Sequence, residues 1–183
     1  MADFTFAHRE EGFDEHIENS IRGYSNLLND IISFSTYFVE DSTNIVDIGC
    51  STGEFIEAIN WRGEAFGMEI NKKARKIAEL KGIKFTKDIF NTSEFFDVIF
   101  LRGVIQHLDR PFEYLSAATK ALKPGGLIIF LATPNVESYI FSKRKTLPSL
   151  DEARVYLYPS LTMLRNYAKN HNLTEVDYRK PYF

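Results

Sequence analysis

Residues 45–55 read Ile-Val-Asp-Ile-Gly-Cys-Ser-Thr-Gly-Glu-Phe. Ile45, Val46 and Ile48 predict a short buried strand. Gly49 through Gly53 predict a tight turn of small side chains, and Phe55, Ile56 and Ile59 start an amphipathic helix. A strand, a glycine turn and a helix start make a nucleotide cradle, because glycine lets the backbone approach a ligand and free N–H groups face it. A dinucleotide fingerprint would read G-x-G-x-x-G, whereas the spacing here is Gly49-x-x-x-Gly53. Asp47 precedes the first glycine by two positions. A carboxylate there repels a pyrophosphate and suits a cationic or hydrogen-bond-donating ligand, which disfavours an NAD-dependent dehydrogenase.

Outward from the turn, Ala65 to Glu69 predict a second strand, followed by a helix that Asn71 caps and Gly82 ends. Glu69 stands about 20 residues past Asp47, the spacing at which an acid takes ribose hydroxyls. Ile83, Phe85 and Asp88 predict a third short strand and its exit. The apolar run Phe95 to Leu101 predicts a central parallel strand buried on both faces. Asp109 is the expected cap of the next helix, with Pro111 in its first turn and Phe112, Leu115, Ala118 and Leu122 on its buried face. Lys123-Pro124-Gly125-Gly126 stops that helix, and Leu127 to Leu131 form a fifth strand. Residues 133–159 read as irregular. Leu161, Leu164 and Tyr167 mark a last amphipathic helix, and Leu173 to Tyr178 alternate as a strand.

The stretch from Asp47 to Gly53 resembles motif I of the class I S-adenosylmethionine-dependent methyltransferases, usually written D-x-G-x-G-x-G. Ser51 stands where the middle glycine is commonest, a change that is tolerated where that residue needs no positive φ. The Leu-Lys-Pro-Gly-Gly string and the Glu69 and Asp88 positions extend the resemblance over residues 24–178. It implies a Rossmann-like, doubly wound, mostly parallel α/β sheet with helices on both faces. The final antiparallel strand lacks residues to form it, so the domain at 24–183 reads as C-terminally truncated, behind an N-terminal arm at 1–23. The resemblance implies S-adenosylmethionine as cofactor and S-adenosylhomocysteine as product. Asp47, Gly49, Cys50, Ser51, Gly53, Glu69, Ile70, Asp88, Ile89 and Leu101 would contact it. Asp88-Ile89 matches the pair that binds the adenine amino group. Tyr24 is open to two readings, binding the cofactor carboxylate or beginning a packed helix face at 24–39.

Arg102-Gly103-Val104-Ile105-Gln106-His107-Leu108 resembles a post-strand motif that often ends Glu-His-Leu. Some relatives use two glutamates and the histidine there as metal ligands. Gly103 and Gln106 occupy the glutamate positions here, and one imidazole cannot hold Mg²⁺ alone, so no catalytic metal is expected. His107 is either a general base for a hydroxyl acceptor or a loop-bonding histidine. The Thr133-Pro134-Asn135 loop resembles that of sugar, polysaccharide and quinone O-methyltransferases. It implies a small-molecule or sugar acceptor under a lid that carries Lys143-Arg144-Lys145, Tyr156 and Tyr158.

The 183 residues are 44% hydrophobic and carry sixteen Phe, which suits one globular domain and argues against disorder. A net charge of −3 gives no general attraction to nucleic acid or anionic membrane. Cys50, the one cysteine, excludes a disulfide within the chain and better suits turn filling than reactivity. With no signal-like start and no spanning apolar run, a cytoplasmic protein is expected. Competing readings are an RNA methyltransferase, a carboxy-S-adenosylmethionine synthase and a non-catalytic cofactor-binding subunit. The incomplete sheet edge invites a homo-oligomer or a partner that completes it.

Overall fold

Strand β1, Ile45–Ile48, is buried at every position, as a short apolar run between two neighbours must be. It pairs in parallel with β2, Ala65–Met68, on one side and β3, Phe96–Arg102, on the other. Strand β4, Leu122–Leu131, pairs in parallel with β3, so the order is β2-β1-β3-β4. The computed structural model describes residues 42–59, 61, 63–85, 87–147, 150 and 155–178, with the single positions 26, 29 and 33. The arm at 1–23, most of the helix expected at 24–39, and Tyr24 lie outside the described residues.

The strand order reverses between β1 and β3, which is the doubly wound arrangement. Alternation along the strands sends successive side chains to opposite faces. Ile45, Val98 and Phe100 pack with Phe55, Ile56 and Ile59 around helix α1, Glu54–Ala58, and with Ala78 of helix α2, Lys72–Leu80. Val46, Ile48, Phe66, Ile99 and Leu101 pack on the other face. There they meet Leu115, Ala118 and Ala121 of helix α3, Pro111–Ala121, and Tyr167 of helix α5, Leu161–Asn170. Between β4 and α5 lies helix α4, Tyr139–Arg144. Among the described residues no helix is long and apolar enough to cross a membrane.

The caps that local chemistry predicts are in place for α2 and α5. Asn71 Oδ1 accepts from the Lys73 and Ala74 amides, and Ser160 Oγ accepts from Met163 N. Gly82 follows the end of α2 at φ 84°.

Several expected elements differ. The third strand shrinks to one parallel bridge, Phe66 to Lys84, held by Lys84 N to Ala65 O and Gly67 N to Lys84 O. Asp88 then caps a 3-10 turn at Ile89–Asn91 and diverts the chain from the sheet. Among the described residues, four strands plus this bridge therefore stand in place of the five expected up to Leu131. Arg110, not Asp109, is the N-cap of α3, with Pro111 as its first residue. Phe112 is half-exposed and off the buried face. Leu122 already belongs to β4, which begins before the Pro-Gly-Gly turn and crosses an irregularity opposite Phe96 and Val98. The segment after β4 contains α4, capped by Ser138, rather than being wholly irregular. Residues 173–178 form no strand. Glu175 instead holds Arg165 of α5 in a two-pronged ion pair, at 2.6 and 2.8 Å.

Candidate functional site

The carboxyl ends of β1, β2 and β3 meet where the strand order reverses, which is the crevice position of open α/β sheets. The turn after β1 has three residues at positive φ: Gly49 at 78°, Ser51 at 51° and Gly53 at 80°. A Cβ on Gly53 would sit 2.1 Å from Ile83 Cδ1, so the turn also needs glycine for space. Ser51 does occupy the left-handed region, so the condition for a strain-free serine is not met. Ser51→Gly is expected to raise unfolding stability by about 1 kcal/mol in urea titration.

The turn is not an open nest of amides. Gly49 N and Cys50 N both donate to Met68 O, at 2.8 and 3.2 Å. Ser51 N donates to Glu69 Oε2 at 3.0 Å, and Gly53 N to Cys50 O at 2.9 Å. The expectation of free amides facing a ligand is thus narrowed: the end of β2 and Glu69 engage those of Gly49, Cys50 and Ser51, and the turn itself engages that of Gly53. Glu69 also accepts from Asn71 N through Oε1 at 2.7 Å. One carboxylate thus fastens the first turn to the start of α2. A cradle with four of its amides already engaged suits a ligand without phosphates.

Asp47 is wholly buried, and its Oδ2 accepts from Arg102 Nε at 3.2 Å. Arg102 is nearly buried too and lies over the Phe55 ring, 4.3 Å from its centroid. Burial raises the Asp47 carboxyl above its ordinary range, and the Arg102 guanidinium opposes that rise. The acid before the glycine turn therefore already has a cation from its own chain.

Three buried side-chain atoms among the described residues have no hydrogen-bond partner: Asp47 Oδ1, Thr52 Oγ1 and Gln106 Oε1. All three belong to segments at the carboxyl ends of β1 and β3. Buried polar atoms are normally paired, so these fit a ligand that donates hydrogen bonds. The ammonium and ribose hydroxyls of S-adenosylmethionine supply such donors.

Cys50 fills the space beneath the turn. A Cβ on Gly67 would stand 2.6 Å from its Sγ, which explains glycine in β2. Burial pushes the thiol up, with Asp47 and Glu69 adding to the rise. Native protein is expected not to react with a disulfide reagent at pH 8, and unfolded chain to react fully. An acid whose folded pKa is raised keeps its proton while the unfolded chain loses it. Stability therefore falls as pH climbs above the ordinary thiol value of 9.0, by about 1.4 kcal/mol per pH unit. Cys50→Ala is expected to remove that contribution.

His107 lies half-buried in a 3-10 turn at Ile105–His107, just beyond β3. Its amide donates to Val104 O at 2.8 Å. Val104 in turn occupies the space that a Cβ on Gly49 would need. Gln106 donates Nε2 to Gly103 O at 2.8 Å, and its carbonyl accepts from Tyr156 N at 2.9 Å. Asp88 spends its oxygens on Phe90 N and Asn91 Nδ2, as a capping residue does. Ile89 and Leu101 are wholly buried. Ile70 is the reverse: beside Glu69, its side chain is 94% exposed. Among the described residues no three His, Cys, Asp or Glu side chains converge as metal ligands.

Sequence reasoning assigned no role to Arg102, Val104 or Gln106. The signal for Arg102 was a single cation closing the apolar run of β3 beside a strand that carries an acid.

Residues 15–178 match the sequence family described as a methyltransferase domain. The chain is similar to a tRNA U34 carboxymethyltransferase of Desulfotalea psychrophila, at 28% identity over 73% of this chain and 46% of that protein. It is also 28% identical to a ubiquinone biosynthesis O-methyltransferase of Idiomarina loihiensis, over 56% of this chain and 50% of that one. The chain thus spans about half the length of these curated relatives. Its fold is similar to that of the plantazolicin methyltransferase BpumL, solved with a pentazolic desmethylPZN analog and SAH. The TM-score is 0.60 at 20% identity, covering 86% of this chain and 68% of that one.

Proposed function

The chain belongs to the methyltransferase-domain family, and from that premise we propose that it transfers a methyl group from S-adenosylmethionine to a hydroxyl of a small-molecule acceptor. The observation that carries the cofactor is the set of orphaned acceptors, Asp47 Oδ1, Thr52 Oγ1 and Gln106 Oε1, beside a turn in which the Gly49, Cys50, Ser51 and Gly53 amides are already engaged. Glu69 keeps lone pairs for the ribose hydroxyls beyond the two amides it holds. Asp88, through the lone pairs its bonds to Phe90 N and Asn91 Nδ2 leave, takes the adenine edge, and the exposed Ile70 covers its face. The hydroxyl acceptor is supported by the O-methyltransferase relative and by the Thr133-Pro134-Asn135 loop after β4.

When bound, the cofactor supplies an activated methyl group on a sulfonium. The protein's part is to align the acceptor and exclude water, since proximity is the larger share of such catalysis. His107 takes the hydroxyl proton. His107→Gln is expected to lower kcat on a hydroxyl acceptor by roughly 100-fold and to leave S-adenosylhomocysteine affinity unchanged. Full activity in that variant would point to an amine acceptor.

Calorimetric titration with S-adenosylmethionine, S-adenosylhomocysteine and NAD tests the cofactor directly. Micromolar binding of the first two and none of NAD is the expected result. Well-folded protein that binds neither would end this reading. A second reading, an RNA acceptor, is favoured by the tRNA-modifying relative and opposed by the net charge of −3.

A further inference from the structure

Beyond β4 the chain builds a rim of aromatic and cationic side chains beside the crevice. Helix α4 exposes Tyr139, and Lys143 stands one turn on, with its Nζ 5.4 Å from the Tyr139 ring centroid. Arg144 and Lys145 continue the exposed cations at the helix end. The segment 155–159 brings Tyr156 and Tyr158, both substantially exposed, and Tyr158 stacks edge-on against Phe141 of α4 at 6.4 Å. One bond ties this rim to the site, and a second ties its own segments together. Tyr156 N donates to Gln106 O, the residue before His107, and Val136 N donates to Pro159 O. Glu137, the acid that precedes α4, turns away and accepts from Thr162 N at the start of α5.

Exposed aromatic rings cost free energy in water and are retained where a flat partner covers them. Three cations at one helix end call for an anionic group on the same partner. Resting on the methyltransferase reading above, we propose that the acceptor is an aromatic ring bearing a carboxylate or phosphate. Its ring lies against the tyrosines, its anion meets Lys143–Lys145, and its hydroxyl points to the cofactor crevice. The cations form one short cluster, not a track, in a chain of net negative charge. That favours a single anionic group on a small molecule over a polynucleotide backbone, which needs several spaced cations.

The test uses protein saturated with S-adenosylhomocysteine, followed by NMR titration with 4-hydroxybenzoate, phenol, 4-hydroxycyclohexanecarboxylate and oligouridine. The expected result is 4-hydroxybenzoate binding about tenfold more tightly than phenol, one charge-assisted hydrogen bond being worth about that much, and about threefold more tightly than the cyclohexane acid, which keeps the anion but lacks the flat ring. In the Lys143→Gln, Arg144→Gln, Lys145→Gly variant the advantage over phenol should vanish. Glycine there keeps the left-handed backbone of position 145. In Tyr156→Ala the advantage over the cyclohexane acid should shrink. Failure of 4-hydroxybenzoate to bind overturns the proposal, as does equal binding of all three small molecules or a preference that survives the triple variant. Salt-sensitive binding of oligouridine that excludes the benzoate also overturns it, in favour of nucleic acid. Because S-adenosylhomocysteine affinity is read in the same samples, loss of the cofactor reading is seen separately from loss of this one.

Discussion

Asp47→Ala is expected to cost about 3–5 kcal/mol of unfolding free energy and to abolish S-adenosylhomocysteine binding. The acid is wholly buried, and its partner Arg102 is held over Phe55 with almost no solvent contact. Removing the carboxylate leaves a guanidinium in a low-dielectric site with its countercharge gone. Small domains have about 5–15 kcal/mol in hand, so the loss is a large share. Urea titration reads the stability change and calorimetry the binding. A double variant, Asp47→Asn with Arg102→Met, separates the two effects. Exchanging a buried pair for neutral groups of similar volume is often close to neutral in stability. The double variant should therefore fold nearly as well as the parent. If Asp47 serves the cofactor, binding stays impaired in it. Restored binding would show that Asp47 acts only by holding Arg102.

Glu69→Ala is expected to weaken S-adenosylhomocysteine binding by roughly 100-fold, with a smaller loss of stability. Two charge-assisted hydrogen bonds to ribose are worth about that factor. The variant also frees Ser51 N and Asn71 N, which the carboxylate now holds. Glu69→Gln keeps one acceptor oxygen and should fall between the two. A titration in which Glu69→Ala binds like the parent would leave the residue a purely structural clamp. Binding of adenine alone, lacking ribose, should be nearly indifferent to the change.

The legible parts of the fold are those decided within a few residues. Apolar runs marked β1 and β3, Asn71 marked the start of α2, and the Leu161-Leu164-Tyr167 spacing marked α5. The misread parts are those decided by distant neighbours. Ile83 and Phe85 look like a strand, yet only Lys84 finds a partner before Asp88 turns the chain away. Leu173 to Tyr178 alternate like a strand, but Glu175 is claimed by Arg165. The Asp47–Arg102 pair joins residues far apart in sequence, and its one signal, a lone cation at the end of an apolar run, counts only once β1 and β3 are known to be neighbours. The same holds for the glycine-turn amides. Their partners, Met68 O and Glu69, sit on another strand, so a turn that reads as an open cradle is already closed by its neighbour.

Ile70, whose side chain stands 94% in solvent at the lip of the crevice, has a thermodynamic consequence. If adenine covers it, apolar area leaves water at the moment of binding, and the binding enthalpy must become more negative as temperature rises. Titrations across a temperature range would then show a negative heat-capacity change that Ile70→Ser reduces. In the unliganded protein the same side chain is a sticky spot on the surface.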